Sequence, residues 1–305
     1  MQLLAYVGAV LDEARAWGLL RELARRARVG SPVQERTGFV VDATGRIEEV
    51  PRERAQLVIE PDAEPCFQSS ARLAPAVVEL LDLYLPLCVG SGARDLVIGH
   101  VGQSLDGQIA TAGGASRYVT GPENIVHMHR LRSLFDAVLV GAGTVECDDP
   151  QLTTRLVPGE HPTRVVIDPS LRLPHARKLY RDGVAPTLIV CGAGRAEHGA
   201  PPRVPVLEVP SENSLLSVPH VLSALAARGL RRVFVEGGGV TLSHFIQARR
   251  LDRLHVTICP MIIGRGRPGI SLPGIESLDE ALRPVTRRFT LGNDVLFDCI
   301  LAHRS

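Results

Sequence analysis

The strongest cluster of chemically suggestive residues follows the apolar run at residues 233–235. Glu236 ends that run, and residues 237–239 are all glycine. Glycines leave backbone N–H groups uncovered, and a helix that begins near Thr241 would add its positive N-terminal end. The pattern therefore predicts an anion site suited to a pyrophosphate. The alternative is a tight turn from a strand into a helix.

A second concentration of polar residues lies in GAGTVECDDPQLTTR, residues 141–155, which again follows an apolar run. Pro150 favours an extended conformation for Asp149, and adjacent extended side chains point to opposite faces. Asp148 and Asp149 therefore cannot easily share one metal ion. We expect one carboxylate to face a ligand hydroxyl and the other to hydrogen-bond its own loop. The glycines of GAGT form neither a Rossmann fingerprint nor a Walker loop.

Several other residues whose types suggest a ligand site have purely structural explanations. His127 and His129 are two apart on a predicted helix, so they face different ways and do not form a ligand pair. Thr120 and Glu123 have the spacing of a capping box. Arg132 lies near the end of the same helix, where it either caps that end or reaches an anion. No Ser-His-Asp set and no H-E-x-x-H motif is recognisable.

Short apolar runs separated by helical patterns must position these residues. The predicted strands cover residues 95–101, 136–141, 164–168, 187–192, 232–237, 253–259 and 294–301. The predicted helices cover residues 122–135, 218–229 and 241–251. Near-continuous apolar strands that alternate with helices are typical of a mostly parallel α/β sheet covered on both faces. We therefore predict an α/β domain over residues 91–305, with its ligands at the carboxyl ends of the strands.

The first 90 residues follow a different pattern. Residues 2–28 have apolar residues at helical spacing, and residues 39–50 predict two strands joined by a turn. Residues 73–87 predict a second helix, and the glycines and serine of residues 88–95 mark a boundary. We predict a small, mainly helical auxiliary domain over residues 1–90, whose role the sequence does not reveal.

Composition argues against several classes of protein. The 305 residues carry a net charge of +1 with acids and bases mixed, whereas nucleic-acid binding calls for a basic stripe. The six cysteines include no C-x-x-C pair, so we expect reduced thiols. No apolar run approaches the ~20 residues of a membrane span, and the chain begins without a basic leader. We expect a cytoplasmic protein with no metal, no membrane and no nucleic-acid partner.

Several motifs together resemble a known family. The chain contains, in the family's order and spacing, HVGQSLDGQIAT, SRYVTGPE, LRSLFDAVLVGAGTVECDDPQLTTR, RVVID, VFVEGGG and ICPMIIG. That family is the reductase domain of the bacterial bifunctional riboflavin-biosynthesis deaminase/reductase, and the likeness covers residues 95–302. It implies a dihydrofolate-reductase-like fold, a homodimer, and NADPH reduction of 5-amino-6-(5-phosphoribosylamino)uracil at the ribose C1′ atom.

The resemblance also implies roles for individual positions. Those that would hold NADPH are Gly102, Tyr118, Thr144, Asp148, Gly238, Gly239, Val240, Thr241, Leu242, Ser243 and His244. Those that would hold the substrate are Ser116, Arg132, Leu152, Arg155 and Glu236, with the two arginines on its phosphate. The residues expected to act in catalysis are His100, Glu236 and Asp148. One loop, residues 144–155, would thus touch both reactants.

The sequence departs from the family in two respects. The deaminase motifs are missing, since no H-x-E occurs and Cys66 is followed by Ser69 where a second thiol would stand. The family commonly carries lysine two residues before the glycine matched by Gly102, and here that position is His100. Histidine is shorter and is neutral more readily at pH 7. Tyr118 replaces the family's usual tryptophan, a milder change.

We therefore predict an NADPH-dependent oxidoreductase without a deaminase half, acting on the riboflavin precursor or on a related heterocycle that carries a C=N bond or a masked aldehyde. One alternative is a diverged reductase of pterin, folate or natural-product chemistry. Another is a non-catalytic nucleotide-binding protein. Retention of Thr144, Asp148 and Glu236 argues against the latter, because a protein that only binds would be free to lose them.

Overall fold

A computed structural model describes residues 11–61, 63–116, 119–199, 201–212 and 215–301. The chain divides between Leu96 and Val97 into two compact units. Tyr118 and the first part of the helix predicted over residues 2–28 lie outside the described residues. None of the described helices is long and apolar enough to cross a lipid bilayer.

The first unit combines two helices with a small antiparallel sheet. Its elements are α1 (Glu13–Arg28), β1 (Thr37–Val41), β2 (Ile47–Val50), β3 (Leu57–Ile59), β4 (Phe67–Ser69) and α2 (Pro75–Tyr84). The strands pair in the order β2-β1-β3-β4. The Asp12 side chain caps α1 by accepting a hydrogen bond from the Arg15 N–H group at 2.8 Å. Both helices and the hairpin follow the sequence, whereas β3 and β4 are three-residue strands too short to show a period.

The second unit is built on a nine-stranded sheet. Its strands are β5 (Leu96–Ser104), β6 (Gln108–Thr111), β7 (Ala137–Gly141), β8 (Thr163–Ile167), β9 (Thr187–Gly192), β10 (Val206–Val209), β11 (Ser211–Glu212), β12 (Leu215–Leu216), β13 (Arg232–Glu236), β14 (Arg253–Cys259), β15 (Gly266–Pro268), β16 (Val285–Leu291) and β17 (Asp294–Ile300). Its helices are α3 (Pro122–Leu134), α4 (Ala142–Asp148), α5 (Lys178–Arg181), α6 (Val218–Ala226) and α7 (Gly239–Gln247). The order in the main sheet is β10-β9-β8-β7-β13-β5-β14-β17-β16.

The predicted mostly parallel sheet is confirmed. Strands β10, β9, β8, β7 and β13 pair in parallel, as do β5 and β14. The last two strands, β17 and β16, run antiparallel at one edge. Every residue of β7 and β13 is buried, which explains why these strands read as unbroken apolar runs. Helices α6 and α7 contribute Val221, Leu225 and Leu242 to the core that these strands share.

Two local predictions were wrong. Residues 142–148 form the short helix α4, and Asp149 ends it in the left-handed conformation at φ 39° instead of the extended one. Its N–H group there bonds to the Val145 carbonyl, which outweighs the preference that Pro150 imposes. Thr120 does not cap α3, because Gly121 is the N-cap residue. The Gly121 N–H group donates to Asp294 on β17 at 2.7 Å, so a distant carboxylate replaces the capping box.

Candidate active site

Two neighbouring parallel strands end side by side, and each leads directly into a helix. Val235 of β13 pairs with Leu139 of β7, so their carboxyl ends meet at one edge of the sheet. Gly141 is the N-cap residue of α4 and Gly238 that of α7. The first N–H groups of α7 have no partner within the helix and carry its positive end. This edge is therefore suited to an anionic group.

The glycines after β13 are required by conformation and by space. Gly237 and Gly238 lie at φ 78° and 76°, in the left-handed region that other residues avoid. A Cβ atom on Gly238 would lie 2.9 Å from the Thr144 hydroxyl oxygen, and one on Gly239 would strike the Pro268 carbonyl. The tight-turn alternative thus explains each glycine. The same turn brings Thr144 against the start of α7, so the two explanations are compatible.

Residues 238–244, which are predicted to bind the cofactor, differ from one another in burial. Val240 is 75% exposed at the start of α7. Leu242 is fully buried in the core, and the Ser243 hydroxyl accepts a hydrogen bond from the Ser271 N–H group at 2.8 Å. His244 is half-buried, and burial lowers its pKa. Thr241 lies against Gly141 at the end of β7, so the first residues of the run adjoin the strand edge.

A buried ion pair joins α3 to the end of β13. Glu236 accepts two hydrogen bonds from the Arg132 guanidinium, with 2.7 Å between Arg132 Nε and Glu236 Oε2, and both side chains are less than 10% exposed. Arg132 Nη1 also donates to the Thr153 carbonyl at 3.1 Å. Arg132 thus neither caps its helix nor stands alone as an anion ligand. Its pairing is a charge-assisted, bidentate contact that orients the Glu236 carboxylate.

Arg155 supplies a second, more accessible cation beside this pair. Its Nη1 atom donates to the Thr153 hydroxyl at 2.8 Å, and its backbone N–H group donates to His129 Nδ1 at 3.0 Å. Burial, Arg132 and Arg155 together lower the pKa of His129 to about 4, so this imidazole is neutral at pH 7. The two guanidinium groups and the one carboxylate give this cluster a net positive charge, and we call it the cationic corner. The predicted residues Arg132, Arg155 and Glu236 are therefore brought together.

The loop before Arg155 carries backbone strain. Leu152 lies at φ 54° although it is not glycine, and it is almost fully buried. Such conformations persist where the surroundings impose them, and they cluster at ligand sites. Asp148 is exposed and accepts a hydrogen bond from the Ser116 hydroxyl at 3.1 Å. Asp149 accepts one from the Lys178 N–H group at 3.0 Å, so its partner is the start of α5 and not its own loop.

His100 lies inside the sheet, on β5. It is 3% exposed, and its Nε2 atom lies 3.0 Å from Asn124 Oδ1 and 3.2 Å from the Thr257 hydroxyl. Burial above all, and then the neighbouring His255, lower its pKa to about 4. Two residues on, Gly102 leaves room for the Thr120 methyl group, which a Cβ atom would strike at 2.6 Å. The imidazole therefore offers a neutral hydrogen-bonding group where a lysine would offer a charge.

The polar residues around His100 were not among those predicted from the sequence. His255 and Thr257 alternate with apolar residues on β14, and Asp298 lies opposite His255 on β17. A polar side chain at every second position of an otherwise apolar strand is the signal that was available. Within the described part of the chain, no group of three or more His, Cys, Asp or Glu side chains is placed to hold a metal ion.

Comparisons with known proteins agree with this architecture. Residues 95–297 match the family described as the RibD C-terminal domain. The 2,5-diamino-6-ribosylamino-4(3H)-pyrimidinone 5′-phosphate reductase of Methanothermobacter thermautotrophicus is 36% identical over 67% of this chain and 97% of its own length. The riboflavin biosynthesis protein RibD of Aquifex aeolicus is 36% identical over 64% of this chain, which spans only 54% of that protein.

A solved structure from Thermotoga maritima has the same fold. It is a diaminohydroxyphosphoribosylaminopyrimidine deaminase/5-amino-6-(5-phosphoribosylamino)uracil reductase, with 26% identity and a TM-score of 0.59 over 74% of this chain and 62% of that one. The fold and the resemblance inferred from the motifs are thereby confirmed, while the roles of the individual site residues stay predictions. The chain belongs to the RibD C-terminal domain family.

Proposed function

We propose that the protein is an NADPH-dependent reductase of 5-amino-6-(5-phosphoribosylamino)uracil or of its diamino-pyrimidinone counterpart, acting at the ribose C1′ atom. The observation that carries this proposal is the position of Glu236. It ends β13, pairs with Arg132, and is followed at once by the glycine turn that starts α7. A single strand end therefore adjoins both the cationic corner and the candidate cofactor edge. Reductases need this juxtaposition, since the two reactants must meet at ~3–3.5 Å.

The residues at the edge fit a dinucleotide phosphate. The turn at 237–239 and the first N–H groups of α7 would bind the pyrophosphate, and Thr144 lies against the same turn. The cofactor, when bound, supplies the hydride. Asp148 would orient the nicotinamide half and Ser116 the substrate, and the two side chains share a hydrogen bond.

The cationic corner fits a phosphorylated substrate. Arg155 is exposed, and its guanidinium is the accessible cation beside the Arg132–Glu236 pair. A substrate phosphate bound there would gain charge-assisted hydrogen bonds. Leu152, buried and held at φ 54°, would define the wall against the pyrimidine. Glu236, fixed by Arg132, would accept hydrogen bonds from the substrate and not move during turnover.

The proposal includes a preference for NADPH over NADH. Arg172 and Arg195 follow the ends of β8 and β9, the next strands along the edge from β7. Arg172 already pairs with Glu146 at 2.5 Å, with both side chains about half exposed, so Arg195 is the better candidate for the 2′-phosphate. In this proposal the enzyme works in the cytoplasm as a homodimer, and residues 1–90 form an auxiliary domain outside the reductase.

The test is turnover of the full chain with each pyrimidine, followed by the loss of reduced nicotinamide absorbance and by the product mass, which should rise by two hydrogens. NADPH should bind clearly more tightly than NADH in calorimetry. Equal affinities would contradict the 2′-phosphate assignment. Tight NADPH binding without turnover of either pyrimidine would contradict the proposed substrate and would favour a nucleotide-binding protein.

One observation favours a second candidate, a diverged reductase of pterin, folate or natural-product chemistry. His100 is buried and neutral where the family commonly carries a cationic lysine, so charge stabilisation at that position is lost. His100→Lys separates the candidates. If the riboflavin precursor is the substrate, the variant should preserve or raise its turnover, whereas a diverged enzyme should be poor on the pyrimidine in both forms.

A further inference from the structure

The hydrogen bonds around His100 determine which of its nitrogens carries the proton. Its Nε2 atom faces two oxygens, Asn124 Oδ1 at 3.0 Å and Thr257 Oγ1 at 3.2 Å. The Asn124 amide is oriented by its other end, because Nδ2 donates to the Thr120 hydroxyl at 2.9 Å. The carbonyl oxygen of Asn124 is therefore the atom turned towards the imidazole, and it can only accept.

The Thr257 hydroxyl can likewise act only as an acceptor towards His100. It donates its hydrogen to Asn124 Oδ1 at 2.8 Å, which leaves only lone pairs for His100. Both oxygens near Nε2 are thus acceptors, and Nε2 must supply the hydrogen. In a neutral imidazole the other nitrogen, Nδ1, then holds a lone pair. Among the described residues no hydrogen bond reaches His100 Nδ1.

A row of polar residues lies beside His100 across the sheet. His100 pairs with His255 of β14, His255 with Asp298 of β17, and Asp298 with Arg287 of β16. His255 Nε2 lies 3.3 Å from Asp298 Oδ1, and His127 Nε2 lies 3.0 Å from His255 Nδ1. The row therefore extends the buried polar residues from His100 to the antiparallel edge of the sheet.

Asp298, two strands from His100 in this row, lies beside Arg253 and Arg287. Burial opposes ionisation of Asp298, but contacts with His255, Arg253 and Arg287 outweigh it and keep the pKa of this carboxyl below its usual value. Burial also lowers the pKa of His127 well below its usual value.

Charged and titratable groups face His100 from three other elements. Helix α3 contributes His127 and Arg132, strand β14 contributes His255, and strand β13 contributes Glu236. The hydrogen bond to Asn124 and the Glu236 carboxylate favour a protonated imidazole, but burial outweighs both, and Glu236 is already paired with Arg132. His100 is consequently a hydrogen-bonding group of fixed direction and not a cation.

We propose that Asn124 and Thr257 are positioning residues that hold His100 in the Nε2–H tautomer, so that its Nδ1 lone pair is what the imidazole offers to the substrate. The group that meets it must be a hydrogen-bond donor, such as a sugar hydroxyl or a ring N–H. The tautomer is a property of the protein alone, whereas the contact between Nδ1 and the substrate rests on the proposed reductase function. Neither residue is part of a motif in the sequence.

The tautomer is measured directly by nitrogen NMR of the full chain labelled with 15N-histidine, with His100→Gln used to assign the signal. The wild type should show an unprotonated Nδ1 and a protonated Nε2, with no titration of His100 between about pH 6 and 8. Asn124→Leu should release the tautomer. Asn124→Asp keeps an acceptor, so it should keep the tautomer while the added carboxylate raises the His100 pKa into the observable range.

Kinetics then test the positioning role. Asn124→Leu should lower kcat about tenfold, the worth of one hydrogen bond, with the KM for NADPH unchanged. Thr257→Val should have a smaller effect in the same direction. Asn124→Asp should restore part of kcat and add a new limb to its pH profile. Thr187→Val is the matched control, because that hydroxyl donates to the Leu179 carbonyl at 2.8 Å, away from His100.

Each outcome decides the proposal. An Nδ1–H signal in the wild type, or an unchanged tautomer in Asn124→Leu and Thr257→Val, would overturn it. So would a released tautomer with unaltered kcat. If the wild type turns over neither pyrimidine, the proposed function fails, and the NMR result still decides whether Asn124 and Thr257 hold the tautomer.

Discussion

Replacing Arg132 by methionine is expected to destabilise the reductase unit strongly, because it leaves a carboxylate buried without its partner. Arg132 and Glu236 are 8% and 9% exposed in their side chains, and the guanidinium also holds the Thr153 carbonyl. Methionine keeps much of the length and apolar surface of the arginine stem. The change therefore removes charge and hydrogen bonds more than packing.

The expected loss of unfolding free energy can be compared with the loss at an exposed ion pair in the same unit. Removing one partner of a buried ion pair costs about 3–5 kcal/mol. Arg172 forms an ion pair with Glu146 through a single hydrogen bond, and those side chains are 47% and 49% exposed. Exposed pairs contribute about 0–1 kcal/mol. For a unit of this size, a difference of about 3 kcal/mol corresponds to a difference in Tm of roughly 10 °C.

The assay is thermal and urea unfolding of wild type, Arg132→Met and Arg172→Met, following the transition of the reductase unit. A third variant, Arg132→Met with Glu236→Met, removes both charges and should recover part of the loss, since buried pairs are commonly replaceable by apolar residues. If Arg132→Met is no less stable than Arg172→Met, the pair is not buried in solution, and the oriented Glu236 on which the proposed function rests is lost.

Three further changes test other parts of the site. Gly238→Ala should lower the free energy of unfolding by about 1–3 kcal/mol, because φ is 76° and the added Cβ atom would lie 2.9 Å from Thr144 Oγ1. Gly229→Ala is the control in the same unfolding assay, because Gly229 lies at φ 79° in open space and loses only its conformational freedom. Arg155→Ala should raise the substrate KM about ten- to a hundredfold with the NADPH KM unchanged, and the reverse pattern in steady-state kinetics would assign this guanidinium to the cofactor. Asp298→Asn should flatten the acid dependence of stability, because a carboxyl with a lowered pKa stabilises the fold above its unfolded pKa of about 3.9 and loses that contribution as the pH falls. Urea unfolding between about pH 2 and 5, where such a contribution is lost, measures this, and an unchanged slope would contradict it.

Local patterns in the sequence were sufficient for most of the α/β unit. The apolar run at 233–235 predicted β13, and Gly237 ended it, because a residue at φ 78° cannot continue a strand. The period of residues 218–229 predicted α6 to within three residues at its end. In each case the chain itself carries the cause, since apolar alternation and turn residues act within a few positions.

The same patterns failed where the partner of a residue is distant. The start of α3 depends on Asp294, which lies 173 residues from Gly121 along the chain. The helix α4 has seven residues and no apolar period, and Asp149 closes it in a conformation that Pro150 disfavours. Propensity cannot predict such choices, because a tertiary hydrogen bond or a packed end outweighs the local preference.

The sequence by itself determined the fold class, the reductase family and the strand ends at which the candidate site lies, because these depend on residue types and on their order. Only the tertiary structure decided which side chains meet. It pairs Arg132 with Glu236 and places Asn124 and Thr257 beside His100. Asn124 and Thr257, which hydrogen-bond to each other, are 133 positions apart in the chain. The charge and the tautomer of a buried imidazole follow from its solvation and from its hydrogen-bond partners, and both exist only once the chain has folded.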